Sequence, residues 1–535
     1  MLRLFIATLL VLLPTLPLSV AASPATDIAT QVQTPLHAIY EARQFAPLWL
    51  EGDKPSARAT QAIDIMGHAA EDGLNIDDYK LPALQHTLDQ LKQQTGTDQQ
   101  QAAFDLAMSQ TLARFIEDLS VGRVTPRDLG LAIDTSTKQI ELQQKLAQVL
   151  VADDLVAAIA AVRPALPTYA ALRQLLADYR VLAAQHPAAP SIPPLPGKKL
   201  SPGELWAGTQ ALADWLIVLG YLPTDTVVTE KYEGAVVDGV KNFQQHHSQI
   251  PDGVIGKQTY QNLLVSLPER VQQIELAMER LRWLDDNLLQ KRFVVINVPQ
   301  FTLWAFEPDA DGKARPVLQM AVVIGKSGKT ETPLMIKTLN SMVFSPYWNV
   351  PRSIAIKELL PKLREDPFYL VREDMELVDN NGQSQGSEVE DAELAGIARG
   401  TYRIRQRPGQ KNALGELKFV FPNDDSIYMH DTPSKSFFAK ERRDLSHGCI
   451  RLQNPMGFAL FALKTQGEWD EAKVKEKIAI GKEQHLALSE RMPVLLLYIT
   501  ANVDENGQAV FLQDIYDQDE KLAAALKKEG RGIKK

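Results

Sequence analysis

Ser446-His447-Gly448-Cys449-Ile450-Arg451-Leu452, with Tyr428-Met429-His430-Asp431-Thr432-Pro433 upstream of it, is the stretch on which the reading of this chain turns. Cys449 is the one cysteine among 535 residues. A lone thiol closes no intramolecular disulfide, so in an oxidising compartment its chemistry, not a stapling role, has to account for it. A thiol attacks an acyl carbon well only as thiolate, which calls for a base or positive charge nearby to bring its pKa down from about 8.5. His430 is the natural partner. It ends the strand-like Ile427-Tyr428-Met429, Cys449 opens an apolar run after a charged loop, and the two ends can meet in a sheet-built cleft. Asp431 can hold the imidazole tautomer through its backbone carbonyl or its side chain. The carbonyl is the expected holder, because adjacent side chains on an extended segment point to opposite faces.

The neighbours of the thiol suggest the rest of a site. Gly448 lets backbone approach a reacting carbon, so the amides of Gly448 and Cys449, with the Tyr428 hydroxyl, are candidate oxyanion donors. His447 would share a face with Cys449 on an extended segment and is a second candidate base. Arg451 suits a substrate carboxylate through paired hydrogen bonds, or else makes an internal ion pair. Tyr347 and Trp348 either line an acyl-donor groove or pack a core.

Outward from this stretch, the period of the sequence divides the chain. Residues 1–22 read as a signal peptide: Met1-Leu2-Arg3 is positive, Leu4 to Val20 is apolar, and Val20-Ala21-Ala22 offers small residues for cleavage. A retained anchor is the alternative, but the apolar run is shorter than the roughly 20 residues of a spanning helix and holds Pro14 and Pro17. Residues 26–200 read as an all-α scaffold, ending in the Pro-rich linker His186 to Gly197 and continued by a helix within 268–290. Residues 204–267 predict three helices, Leu205 to Leu219, Tyr232 to His246 and one after the turn Asp252-Gly253-Val254-Ile255-Gly256. His246-His247 reads as surface. Residues 291–517 shift to period 2, with strands at Phe293 to Val298, Phe301 to Phe306, Val317 to Ile324 and Val494 to Ile499. Within them an acidic stretch, 366–400, shows no strand period, and a lid at about 361–412 is expected there. Residues 518–535 read as a basic tail.

These segments carry a resemblance. Leu219-Gly220-Tyr221-Leu222, Val240-Lys241-Asn242-Phe243-Gln244 and the Asp252 to Gly256 turn are similar to the three-helix peptidoglycan-binding domain of exported cell-wall enzymes. The Cys449 stretch with Asn454-Pro455, and His430-Asp431-Thr432-Pro433, resemble the signature of the L,D-transpeptidases with a YkuD-type catalytic domain. Thr332-Pro333, Pro346 to Ile354 and Gln406 to Gly415 also fit. The whole resembles the large periplasmic members of that family. The implied fold is multidomain α+β: a β-rich YkuD-type catalytic domain with a lid insertion, an all-α scaffold and a three-helix peptidoglycan-binding domain.

The resemblance also implies a reaction. Cys449 would attack the carbonyl joining a diamino acid to the terminal D-alanine of a peptidoglycan tetrapeptide, release D-alanine and hold a thioester. The side-chain amine of a second stem peptide would then make a 3–3 cross-link. His430 would be the base, with Ser446, His447 and Arg451 at the substrate and the thiol a target for carbapenems. The implied role is in cell-wall biogenesis and cell shape, with other cell-wall synthases as partners. Thiolate, imidazole and backbone donors supply every role, so neither a metal nor an organic cofactor is expected. Water as acceptor would make the enzyme a carboxypeptidase or endopeptidase, and a non-catalytic wall-binding protein is the alternative from another class. Chain order argues against a papain-like protease, since there cysteine precedes histidine. The net charge of −9 argues against a nucleic-acid partner.

Overall fold

A computed structural model describes residues 23–529. The signal peptide read over residues 1–22 and the last six residues of the basic tail lie outside them. The described residues fall into two compact units and make a multidomain α+β protein.

The first unit comprises residues up to His68, Ile76–Ile116 and Gln143–Ile159. It is helical, with one short hairpin, β1 (Leu50–Glu51) and β2 (Lys54–Pro55). Its interior is organised by a fully buried carboxylate. Asp105 accepts the backbone N–H of Leu48 at 3.1 Å and of Trp49 at 2.7 Å, and the Tyr40 hydroxyl at 2.5 Å. The Trp49 indole N–H donates to Ser109 Oγ at 2.8 Å. Burial pushes the Asp105 carboxyl above its usual range, against these donors.

The second unit holds Ala69–Asn75, Glu117–Leu142 and Ala160–Lys535. Three of its helices, Thr209–Val218, Ala235–His246 and Lys257–Leu263, sit where the helical periodicity runs, but the first two begin three or four residues later than their apolar pattern. The reason is local: Gly208 and Gly234 stand at the N-caps, and Gly234 has φ +59°. Gly220, at φ +77°, ends the first helix in the left-handed conformation that other residues resist. His247 corrects the surface reading. It is buried, its ring stacks on Phe243 with centroids 3.8 Å apart, and Arg270 donates to its Nε2 at 3.2 Å.

The largest sheet among the described residues has nine strands. Its strands are β3 (Phe293–Asn297), β4 (Thr302–Pro308), β5 (Ala314–Gly325) and β6 (Met335–Phe344). After an insertion come β11 (Leu417–Val420), β12 (Met429–His430), β13 (Asp444–Ser446), β14 (Ile450–Leu452) and β15 (Gln484–Leu497). The order is β13-β5-β14-β12-β11-β6-β15-β3-β4, and β5 also pairs with β4, so the sheet closes on itself. Closure removes the open edges that invite intermolecular pairing. Its inner face is the largest apolar core: Val294, Leu303, Val322, Met342, Phe419, Met429, Ile450 and Leu452 are all fully buried.

Residues 366–400, which show no strand period, fold nonetheless. β7 (Trp348–Asn349), β8 (Met375–Val378), β9 (Ser384–Gly386) and β10 (Arg403–Gln406) form a separate sheet of order β7-β10-β8-β9. Helix Asp391–Arg399 and the segment Arg352 to Glu365 pack beside it over their own core of Leu359, Leu363, Leu370, Leu377, Ile397 and Ile404. All four residues of β8 are buried, so an alternating pattern has nothing to alternate between. A last hairpin, β16 (Ala501–Val503) with β17 (Ala509–Phe511), precedes helix Gln518–Glu529. That helix is not a free tail: Leu522 is fully buried in a cluster with Val124, Ile133, Leu276 and Trp283.

Candidate active site

The chemistry gathers on the outer face of β14, β12 and β11. Strands β12 and β14 run parallel, with Met429 opposite Ile450 and His430 opposite Arg451, and Lys418 of antiparallel β11 stands opposite His430. Met429, Ile450 and Phe419 point into the core. Side chains alternate along a strand, so His430, Arg451 and Lys418 take the opposite face, while Tyr428 and Cys449 immediately precede β12 and β14 and Cys449 also packs partly against the core. Lys418, His430 and Arg451 form one row across the sheet, and Tyr428 and Cys449 form the next.

His430 is 4 % exposed. Its Nδ1 lies against the backbone carbonyl of Asp431. A carbonyl only accepts, so Nδ1 carries the hydrogen and in the neutral ring Nε2 carries the lone pair. The Asp431 carboxylate is engaged elsewhere, accepting the Glu416 N–H at 3.0 Å and the Lys435 ammonium at 2.5 Å. Burial first, then the charges of Arg451 and Lys418, push the imidazole down to about 3, against the carbonyls of Asp431 and Leu414. At neutral pH it is an uncharged acceptor.

Cys449 is partly buried, and its Sγ rests 3.9 Å from the Ser426 carbonyl. Burial pushes the thiol up, while the Tyr428 backbone and hydroxyl, Lys418 and Arg451 favour the thiolate. Burial likewise pushes the Tyr428 hydroxyl up, well out of its usual range. The resting pair is thus thiol and neutral imidazole.

Ser446 shapes the turn before the sulfur. Its hydroxyl accepts the Gly448 N–H at 3.1 Å and donates to the Cys449 carbonyl at 2.6 Å, and its own carbonyl accepts Lys326 N–H at 3.0 Å and the Thr330 hydroxyl at 2.9 Å. Gly448 has φ +114°, and a Cβ there would meet Ile427 at 3.1 Å. The oxyanion expectation for Gly448 is corrected by this geometry, because its N–H is already given to Ser446. The Cys449 N–H donates to no group among the described residues.

Comparison with known proteins gives this arrangement a family. Residues 291–475 match the family model YkuD, L,D-transpeptidase catalytic domain. The chain carries a YkuD-type L,D-transpeptidase domain. Residues 207–263 match a "Putative peptidoglycan binding domain" and residues 34–176 a "Scaffold domain". A curated "Putative L,D-transpeptidase" from Haemophilus influenzae is 32% identical over 277 residues, covering 50% of this chain and 53% of that protein. The chain therefore matches about half the length of this relative. Among solved structures, an L,D-transpeptidase from Stackebrandtia nassauensis is 14% identical with TM-score 0.21, covering 57% of this chain and 97% of that one. Residues 123–326 of an L,D-transpeptidase from Xylanimonas cellulosilytica are 16% identical with TM-score 0.17, covering 57% and 100%.

In the YkuD-type domain the remaining sequence candidates separate. Among the described residues Arg451 makes no ion pair, against the internal-pair reading; its Nε is buried without a partner there, and its guanidinium lies 5.6 Å from the centroid of the Phe437 ring. His447 is half exposed, and its Nε2 meets Glu358 Oε1 at 2.6 Å, so its ring is tied to the insertion. Glu358 sits on a π-helical turn, Ala355–Leu359, a conformation frequent at functional sites. Tyr347 lies under the Arg405 guanidinium at 4.2 Å, and Trp348 pairs with Gln406 and packs against the insertion's core. Their contacts are those of a packed insertion. Sequence reasoning missed Lys418 and Glu358. Lys418 interrupts the apolar run Leu417 to Phe421, and that lone charge in a strand next in register to the histidine is the signal that marks it.

Proposed function

We propose that this protein is a peptidoglycan L,D-transpeptidase that forms 3–3 cross-links through a thioester on Cys449, with release of D-alanine. What supports the reading is the strand register that brings the segment of the one cysteine next to the strand of an uncharged histidine, with Arg451 and Lys418 opposite that histidine on either side. Residues 207–263 would hold the wall and keep the stem peptides at hand, which implies work outside the cytoplasm, in the periplasm.

His430 Nε2 takes the thiol proton as sulfur attacks the carbonyl between the diamino acid and D-alanine. The oxyanion that forms is met by the Cys449 N–H and the Tyr428 hydroxyl. Each such donor contributes about 3–4 kcal/mol to the transition state. The same Nε2 then gives the proton to the D-alanine nitrogen, and the C–N bond breaks to leave the thioester. An incoming amine repeats the path in reverse: it attacks the thioester, passes a proton through His430, and the sulfur leaves as thiol. The Asp431 carbonyl keeps the ring in the tautomer that does this, and Arg451, unpaired on the nucleophile's strand, takes a carboxylate of the retained diamino acid. The insertion, touching the nucleophile loop through Glu358, would act as the lid that keeps water out while the amine arrives.

Incubation of the protein with disaccharide-tetrapeptide tests this. Mass spectrometry is expected to show dimers equal to two monomers less one D-alanine, absent with Cys449→Ala. Tripeptide monomers without dimers would instead make water the acceptor and the enzyme a carboxypeptidase.

A further inference from the structure

Lys418 occupies a position that the proton relay leaves unused. Its strand is the third in the series β14, β12, β11, so sulfur, imidazole and ammonium stand on successive strands. Neighbouring strands lie about 4.8 Å apart. Lys418 Nζ leans over the Tyr428 ring, 3.9 Å from its centroid, toward the row that holds the thiol. Among the described residues it makes no hydrogen bond and no ion pair. Its charge interactions are with the Cys449 sulfur first and then with Glu483, which itself accepts the Tyr347 N–H at 2.9 Å. With that sulfur resting as a neutral thiol, the half-buried ammonium faces no paired anion before substrate arrives, which is costly unless a ligand supplies one.

The reaction proposed above supplies it, in the right order. The acyl carbon must sit on sulfur, and the leaving nitrogen must reach His430 to be protonated. In a leaving D-alanine, the carboxylate lies one carbon beyond that nitrogen. The sequence acyl carbon, nitrogen, carboxylate therefore runs in the same direction across the sheet as Cys449, His430, Lys418. Arg451 lies on the other side of His430, on the nucleophile's own strand, and belongs to the part of the donor that stays. We infer that Lys418 reads the terminal carboxylate of the acyl donor, and so selects donors whose leaving residue ends at that position. This rests on the transpeptidase reading and adds to it the specificity-determining residue for the leaving group.

The test compares two tetrapeptide donors, one with a free terminal carboxylate and one with a terminal amide, in single-turnover acylation of Cys449 followed by mass spectrometry. The unaltered chain is expected to prefer the free acid by about 10–100-fold in kcat/KM, the range of a lost charge-assisted hydrogen bond. Lys418→Met is expected to bring that ratio close to one, and Lys418→Arg to keep most of it. If Lys418→Met slows both donors by the same factor, the lysine only tunes the thiol and the inference falls. No preference in the unaltered chain overturns it equally, with no variant needed. If neither donor acylates the unaltered chain at Cys449, the transpeptidase reading itself fails and takes this inference with it.

Discussion

The resting protonation state of the Cys449 and His430 pair can be tested by titration. With the imidazole held at about 3, only about one molecule in 10⁴ carries imidazolium at pH 7. An ordinary thiol of about 8.5 is about 3 % thiolate at that pH; burial places Cys449 below that fraction. Iodoacetamide inactivation between pH 5 and 9 is therefore expected to rise about tenfold per pH unit, because thiolate is the reacting species. At pH 7 it is expected to run slower than for a cysteine peptide. His430→Ala is expected to keep the same slope, since the ring contributes no charge to the resting thiol. A rate that is flat from pH 5 to 8 in the unaltered chain and becomes steep in His430→Ala would mean a preformed thiolate–imidazolium pair, and would refute the reasoning. The proton would then already have moved before substrate arrives.

The same histidine gives an acid dependence of stability. Its folded pKa lies below its unfolded value of about 6.5, so the unfolded chain binds the extra proton and stability falls as pH drops from about 6.5 toward 3. Urea unfolding at pH 4.5 and 7, in the unaltered chain and in His430→Asn, is expected to show a smaller acid loss in the variant, by about 2–3 kcal/mol. Ser446→Ala strands the buried Gly448 N–H; a loss of about 1–3 kcal/mol is expected as a lower urea midpoint at unchanged slope, together with slower acylation. Glu358→Gln weakens a half-exposed pair with His447. It is expected to leave the melting temperature nearly unchanged, because exposed pairs contribute about 0–1 kcal/mol, but to raise the ratio of hydrolysed to cross-linked product; an unchanged ratio would mean that this contact does not help exclude water.

How much of this was legible in the sequence depended on how local each signal is. Cys449 and His430 stand in short motifs whose chemistry is written in adjacent residues, and the long strands β3 to β5 announce themselves by β-branched and aromatic runs. The inserted sheet did not, because its strands are two to four residues long and β8 is buried on both faces. His247 was misread because its partners, Arg270 and Phe511, come from elsewhere in the chain. Lys418 gained its place only through the register of β11 against β12, and the engagement of the Gly448 amide required knowing which way the Ser446 hydroxyl turns.

The docking of Leu522 among Val124, Ile133, Leu276 and Trp283 sets a condition on assembly. This cluster draws on segments from opposite ends of the second unit, so a polypeptide halted before residue 518 leaves Trp283 without its cover. Completion of the second unit's core then waits on the last helix, so folding of this unit cannot finish residue by residue behind the growing end of the chain.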